Sequence, residues 1–228
     1  MTIDTAPIVQ NVASMLAERA DAEKAAKMAE YMKTEMPFYG VQAKPRDEIV
    51  RAVGRDIALD SREDYQALVL ALWQQPHREE NNIAIRLARR FSAFINFESL
   101  SLYERLIREG AWWDFVDEIA GHLVGRVLAK APDKTWPVLD RWVEDDDMWI
   151  RRTALLAQKR QKDKTDQDRL FRYCLACADE DEFFIRKAIG WALREYSYVA
   201  PDAVRGFVDD HRDRFSGLTI REATKRLD

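Results

Sequence analysis

Two residue types with complementary chemical character share one short segment, "AWWDFVDEIA" at 111–120. Trp113 and Asp117 are four residues apart, so both would face the same side of a helix. Indole faces attract cations, and a carboxylate stabilises positive charge that develops beside it. Another tryptophan, Trp191, follows Gly190 in "KAIGWALREY", where the glycine would allow something to approach the backbone closely. Such a set suits a positively charged target that is flat or partly apolar.

One reaction that fits this set is cleavage of the N-glycosidic bond of an alkylated nucleobase. Methylation of a ring nitrogen makes the base cationic and already a good leaving group, so no general acid has to protonate it. The remaining tasks are to stabilise the oxocarbenium-like sugar and to place a water molecule. A single aspartate can perform both tasks.

Taken singly, these residues have ordinary explanations. A tryptophan usually packs in a core, and an aspartate usually faces solvent or caps a helix. We expect Trp112 to pack in the core with Val116 and Ile119, and Asp114 to serve the first turn of the helix. The combination of Trp113 and Asp117 on one face is what favours a functional interpretation.

The composition indicates a globular protein. The chain has 228 residues, of which 47% are hydrophobic and 33% charged, and a net charge of −4. This length fits one domain over residues 1–228 or one continuous array of repeats. No apolar run approaches the roughly 18 residues that span a bilayer. The N-terminus has no basic segment before an apolar stretch, so we expect no signal peptide, no membrane association and a cytoplasmic location.

The cysteines indicate packing and not metal binding. Cys174 and Cys177 are the only two, and the three histidines are isolated. A zinc site would need further ligands, and a redox pair would need a βαβ context that the sequence lacks. We therefore expect both thiols to pack inside a helical core, and we expect neither a metal nor an organic cofactor.

Almost every segment has helical periodicity, and strand signals are weak. Prolines precede or open several periodic segments, and Ser61 and Asp166 stand where helices would start. The sequence thus predicts an all-α protein with about a dozen short helices.

Two segments resemble each other, "DMWIRRTALLAQ" at 147–158 and "EFFIRKAIGWAL" at 182–193, with Ile150 and Ile185 separated by 35 residues. "NIAIRLARRF" is a weaker copy. A period of this size is typical of an α-solenoid, a curved superhelix in which equivalent positions of successive repeats line up. Repeated basic residues would then form a concave, positively charged groove that suits a DNA backbone. The candidates are Arg86, Arg151, Arg152, Arg186 and Lys187.

Charge is distributed unevenly along the second half of the chain. An acidic run at 144–147 is followed, over residues 151–164, by six basic residues and one acidic residue. The basic run has an ordinary alternative as a solvated helix face. The acidic run has one as a favourable helix start.

The whole set of motifs resembles the AlkD-type DNA alkylation repair glycosylases, a bacterial family built from HEAT-like repeats. The resemblance is carried by "MAEYMKTEMPFYGVQ" (28–42), "LWQQPHREE" (72–80), "AWWDFVDEIA" (111–120), "DMWIRRTALL" (147–156) and "EFFIRKAIGWALREY" (182–196). The last three motifs are specific and correctly ordered. The resemblance extends over nearly the whole chain.

The resemblance implies removal of 3-methyladenine and 7-methylguanine from duplex DNA, with the damaged base left stacked instead of flipped out. It places the catalytic carboxylate on Asp117, the two cleft tryptophans on Trp113 and Trp191, and an arginine that grips the backbone on Arg152. We expect a monomer, because one molecule should track one duplex, and a location in the bacterial cytosol or nucleoid. Further positions expected to face DNA, from the resemblance or from the basic stripe, are Tyr31, Gln42, Arg194, Arg151 and Lys187.

Two other functions remain open at this point. A helical-repeat scaffold could bind a protein or DNA without chemistry. A binder of branched DNA would keep the basic stripe but would not need Asp117. The range of lesions is also left open, because Phe115, Arg151 and Thr153 differ from the family pattern beside the motif residues.

Overall fold

A computed structural model describes residues 3–227. Every regular element in this range is helical and none is a strand, which confirms the all-α prediction. The chain divides into two compact units, residues 1–95 and 96–228. Within the described residues, no helix is both long enough and apolar enough to cross a membrane.

The first unit contains five α-helices around a core of aliphatic side chains and Tyr65. Helix α1 packs on α3, α4 and α5, and α4 packs along α5. Because α1 is amphipathic, Val12 and Leu16 point into this core and are fully buried. The helices are α1 (Ala6–Ala17), α2 (Ala22–Met32), α3 (Ala43–Asp56), α4 (Arg62–Trp73) and α5 (Arg78–Arg90).

A buried carboxylate shapes the loop that leads into α3. Glu79 is fully buried, and its oxygens accept hydrogen bonds from the backbone N–H groups of Tyr39, Gly40 and Val41, at 2.9–3.1 Å. Gly40 has φ +87°, and a Cβ added there would lie 2.1 Å from the carbonyl oxygen of Asp21. Only glycine therefore fits this turn.

The second unit contains nine α-helices and one π-helical turn among its described residues. The helices are α6 (Leu100–Gly110), α7 (Trp113–Ile119), α8 (Gly125–Lys130), α9 (Pro132–Trp142), α10 (Met148–Leu156), α11 (Gln167–Ala176), α12 (Phe183–Ser197), α13 (Pro201–Asp210) and α14 (Gly217–Thr224). The π-helical turn, Ala120–Val124, joins α7 directly to α8.

Helices recur in the second unit with the predicted period. Helices α7, α10 and α12 begin at residues 113, 148 and 183, which are 35 residues apart. Each packs on the next, and α12 packs in turn on α14. Helices α9, α11 and α13 lie between them in the sequence and contact their neighbours in this series. The repeat inferred from Ile150 and Ile185 is thus confirmed, and both isoleucines are fully buried.

The predicted helix starts are confirmed. Ser61 and Asp166 are N-cap residues whose side chains accept from the backbone N–H of Asp64 and Arg169. Within the acidic run, Asp147 caps α10 in the same way and accepts from the N–H of Trp149. Pro132 opens α9 at its first helical position, where a missing N–H costs nothing.

Both cysteines pack in the core of the second unit, as predicted. Cys174 and Cys177 are fully buried and not joined by a disulfide. Burial raises the pKa of Cys174 well above its ordinary value and the pKa of Cys177 to about 12, so both stay protonated thiols at neutral pH.

Candidate active site and family membership

Helix α7 carries Asp117 on its partly open face. Phe115, Val116 and Ile119 of the same helix are buried and tie it to the core. The side chain of Asp117 remains 13% exposed, so solvent can reach it. The π-helical turn begins three residues later, and turns of this kind occur often at functional sites.

Asp117 is held by Arg152 of α10 through two parallel hydrogen bonds. Nε of Arg152 donates to Oδ1 at 2.8 Å, and Nη2 donates to Oδ2 at 2.9 Å. The guanidinium group also donates to the carbonyl oxygen of Phe184 and is only 4% exposed. Two-bond arginine–carboxylate pairs fix both distance and orientation. The carboxylate is therefore held in one orientation before any ligand arrives.

A glycine at the start of α8 allows this helix to approach the end of α10 closely. A Cβ added to Gly125, where α8 begins, would lie 2.6 Å from the carbonyl oxygen of Ala157, just after α10 ends. Gln161 donates to the carbonyl oxygen of Gly125 at 2.7 Å and ties the same two segments together. These contacts hold the start of α8, which the π-helical turn joins to α7, against the segment that follows α10.

A second cation, Lys159, lies on the face of Trp191. Its Nζ is 3.2 Å from the centre of the indole ring. The ring nitrogen of Trp191 donates to Glu195 at 3.1 Å. Burial lowers the pKa of Lys159 to about 8, against the opposing effect of the nearby carboxylates of Asp117 and Glu195; Arg160 and Arg152 add to the lowering. Lys159 thus belongs to the same electrostatic environment as Asp117.

The turn after α10 presents Lys159. Its neighbour Gln158 is buried and exchanges two hydrogen bonds with the backbone of Asp166, at 3.2 and 2.7 Å. This exchange anchors the turn. Lys159 therefore has a fixed backbone in this turn, where the charges of Asp117 and Arg152 act on its amine.

A match to a known family is the deciding comparison. The family model described as DNA alkylation repair enzyme matches residues 12–227. This chain belongs to the DNA alkylation repair enzyme family.

The chain is also similar to solved structures, one of which carries the name of this family. A predicted DNA alkylation repair enzyme from Enterococcus faecalis is 30% identical and superimposes with a TM-score of 0.84, covering 91% of this chain and 96% of that one. The smu.31 protein of Streptococcus mutans UA159 is 17% identical with a TM-score of 0.62, covering 81% and 92%, and this likeness shows the fold alone. None of the curated proteins matches the chain.

The tryptophans of the family motif in α7 have different surroundings. Trp112 lies in an aromatic cluster, with ring centres 5.9 Å from Trp149 and 5.5 Å from Phe184. Trp112 thus packs against other side chains, but it is half-buried and not in the core as expected, and its buried Nε1 has no hydrogen-bond partner among residues 3–227. Trp113 opens α7 one turn before Asp117 and is half-buried. Trp113 is thus the motif tryptophan that shares a helix face with Asp117.

The predicted basic stripe is electrically paired in this family member. Glu180 holds Arg151 by two bonds of 2.9 and 2.6 Å. Arg86 pairs with Asp47 in the first unit. In the second unit Arg186 pairs with Asp181, while Lys187 and Arg194 both pair with Glu222. The sequence suggested a positively charged groove, but each of these basic side chains is paired with a carboxylate. The basic run at 151–164 is likewise not simply a solvated helix face, since Arg152 is buried.

Two predicted DNA-facing residues lie in the first unit. Tyr31, on α2, is 74% exposed, which is unusual for an aromatic side chain. Gln42 is the exposed N-cap residue of α3 and follows the loop that Glu79 holds. These surroundings leave both side chains accessible to a ligand.

Three charged residues that contact the predicted site residues in the fold were not predicted from the sequence. Lys159 was counted only as part of a basic run, and Glu195 and Glu222 were not singled out. The signal that could have found them is the repeat: Asp117, Arg152, Lys187 and Glu222 follow one another at 35-residue intervals. Lys159 is likewise 35 residues before Arg194.

Among residues 3–227, no group of three or more His, Cys, Asp or Glu side chains is arranged to hold a metal ion.

Proposed function

We propose that this protein is a DNA glycosylase that removes cationic alkylated purines, such as 3-methyladenine and 7-methylguanine, from duplex DNA. The observation that carries the proposal is the two-bond pair between Asp117 and Arg152, in a member of the DNA alkylation repair family. A partly exposed carboxylate with a fixed orientation is what an oxocarbenium-like transition state requires.

The pair leaves Asp117 able to act. A carboxylate has about four lone-pair positions, and Arg152 uses one on each oxygen. One remaining position can face the anomeric carbon while the other accepts a hydrogen bond from water. The N-glycosidic bond then breaks with its electron pair moving to the cationic base, which leaves neutral. Water adds to the sugar carbon and loses a proton, which the carboxylate can accept.

Trp191 supports this assignment through the cation that it already binds. The ammonium group of Lys159 occupies the indole face. A ring face that holds a cation beside a carboxylate suits a positively charged sugar or base by the same electrostatics. Substrate would replace Lys159 on this face, and Trp113, one turn before Asp117, would pack against the deoxyribose.

The cations of the second unit would contact the DNA backbone in this proposal. Lys187 and Arg194 would bind phosphates, with Arg151 in a smaller role because Glu180 already takes two of its donors. Arg152, expected from the sequence to grip the backbone, is 4% exposed and bonded to Asp117 and Phe184, so in this proposal it positions the carboxylate. Tyr31 and Gln42 would add contacts from the first unit. We propose a monomeric, HEAT-like repeat enzyme in the cytosol that needs no metal and leaves the base stacked.

The test is release of free base. Purified protein is incubated with methylated duplex DNA in the presence of a chelator, and the supernatant is chromatographed. We expect free 3-methyladenine and 7-methylguanine and an intact sugar–phosphate backbone. A protein that binds the same DNA without releasing either base would contradict the proposal.

The same preparation separates the two alternatives. A scaffold without chemistry would release no base and would bind damaged and undamaged duplexes alike. A binder of branched DNA would prefer a four-way junction to a linear duplex in a gel-shift series. The glycosylase is expected to show base release and no preference for the junction.

A further inference from the structure

One carboxylate in the last helix is shared by two of the proposed phosphate-binding cations. Nζ of Lys187 donates to Oε1 of Glu222 at 3.0 Å, and Nη1 of Arg194 donates to Oε2 at 2.7 Å. Each carboxylate oxygen therefore binds a different cation. Bonding to Lys187, strengthened by the charges of Lys187, Arg194 and Lys225, lowers the pKa of Glu222 despite its burial, so it is ionised at neutral pH.

Close helix packing holds Glu222 in this position. A Cβ added to Gly190 of α12 would lie 2.5 Å from Cβ of Glu222 and 2.8 Å from the carbonyl oxygen of Thr219. The hydroxyl of Thr219 also donates to the carbonyl oxygen of Arg186 at 3.2 Å. Helix α14 therefore packs closely on α12, and this packing fixes the backbone from which Glu222 contacts both cations.

The three side chains remain partly accessible. Lys187 is 37% exposed, Arg194 19% and Glu222 17%. The Lys187–Glu222 pair, whose lysine is more than one-third exposed, contributes about 1 kcal/mol or less, so duplex DNA, a polyanion, can displace it. A phosphate of the DNA backbone offers the same geometry as the carboxylate, two oxygens for two cations.

We propose that Glu222 holds the place of a DNA phosphate at Lys187 and Arg194, and that this competition limits the affinity of the protein for DNA. The inference rests on the proposed function, because it takes these two cations as backbone contacts. Glu222 acts through them and does not touch the reacting atoms. It is thus an affinity-setting residue for a ligand of one chemical class, a duplex phosphodiester backbone.

The experiment measures binding of undamaged duplex DNA to the full-length Glu222→Gln variant as a function of salt concentration. Glutamine keeps the shape that packs on Gly190 but removes the charge. At low salt we expect the dissociation constant to fall about two- to tenfold. The slope of log K against log salt should steepen by about one, as for one additional phosphate contact.

Two controls make the result specific. Asp209→Asn on α13 removes the same charge from an exposed pair with Arg212, and it should leave both quantities unchanged. A Lys187→Met/Arg194→Met variant should bind DNA more weakly, and adding Glu222→Gln to it should have no further effect. Circular dichroism and a thermal melt establish that each variant is folded.

Three outcomes would overturn the inference. They are unchanged or weaker binding by Glu222→Gln, an equal gain in Asp209→Asn, and an equal gain when both cations are absent. Base release from methylated DNA, measured on the same samples, reports on the proposed function separately. If the wild type releases base and Glu222→Gln does not bind more tightly, only the inference fails.

Discussion

Two ion pairs in the second unit occupy equivalent positions of the repeat but differ in character. Asp117 pairs with Arg152, and Lys187 pairs with Glu222, in each case across 35 residues. The first pair has two bonds between the same partners, and its arginine is almost fully buried. In the second pair the carboxylate is divided between two cations, and the lysine is more than one-third exposed.

The difference teaches how one repeat can serve two purposes. Burial and two-bond geometry fix a carboxylate at a defined point, which chemistry needs. Exposure and divided bonding make a pair easy to exchange for phosphate, which reversible binding needs. A glycine seats the helices in both places, Gly125 beside Ala157 and Gly190 beside Glu222. The changes that follow test this contrast, beginning with the largest expected effect.

Arg152→Ala should separate the two pairs most clearly. It leaves the carboxylate of Asp117 partly buried without its partner, so we expect the free energy of unfolding to fall by about 2–4 kcal/mol. Lys187→Ala removes an exposed cation and should cost about 1 kcal/mol or less. Urea unfolding of both variants measures the difference. Equal losses would show that the two pairs do not differ as described.

Arg152→Lys sharpens the same comparison. It keeps the positive charge but cannot make two parallel bonds to the carboxylate. Base release should therefore fall about ten- to a hundredfold, while binding of undamaged duplex changes little. Lys187→Arg, which also keeps its charge, should leave base release near the wild-type rate.

The amine of Lys159, which lies near the Asp117–Arg152 pair, should make the free energy of unfolding depend on pH. No such dependence is expected from the Lys187–Glu222 pair. Its pKa is about 8 in the folded protein and near its ordinary value of 10.5 when unfolded. Above about pH 8 the folded protein releases this proton first, so the unfolded state binds more protons and stability rises with pH. Relative to Lys159→Met, the wild type should gain about 2–3 kcal/mol of unfolding free energy between neutral pH and about pH 11.

Urea unfolding at the two pH values measures this gain, and subtracting the variant removes the contribution of all other groups. A constant difference between the two proteins would contradict the burial of Lys159. Lys162→Met, an exposed lysine in the following turn, is the matched control and should show no such change.

Glycine substitutions test the close helix contacts beside the two pairs. Gly125→Ala and Gly190→Ala each place a methyl group against backbone atoms, so we expect losses of about 1–3 kcal/mol in unfolding free energy. Gly206→Ala in α13 meets nothing within 4 Å and should gain about 0.5–1 kcal/mol. Gly125→Ala should also slow base release more than Gly190→Ala, because it displaces α8 and with it Asp117. Equal slowing by the two variants would show that Gly125 does not help to position Asp117.

Sequence predicted the helices and their period well, because both depend on local signals. The spacing of Ile150 and Ile185, the N-cap residues Asp166 and Ser61 and the opening proline of α9 are each visible within a few residues. Helical periodicity and capping act over one or two turns, so no knowledge of tertiary structure is required.

Pairing of charges could not be predicted in the same way. Asp117 and Arg152 were both chosen, but for separate roles, and their two-bond contact depends on how α7 packs on α10. Glu180, Glu195 and Glu222 are ordinary surface residue types in the sequence, and only packing decides which cation each one meets. The 35-residue interval joins Asp117 to Arg152 and Lys187 to Glu222, and it could have narrowed the choice.

The most direct test compares base release and DNA binding in Asp117→Asn and Asp140→Asn. Both remove a carboxylate that is paired with arginine, but Asp140 is on α9 and pairs with Arg172. Single-turnover release of 7-methylguanine from methylated duplex should fall at least about a hundredfold in Asp117→Asn, with duplex affinity retained, and should be unchanged in Asp140→Asn. Release by Asp117→Asn at the wild-type rate would contradict the account.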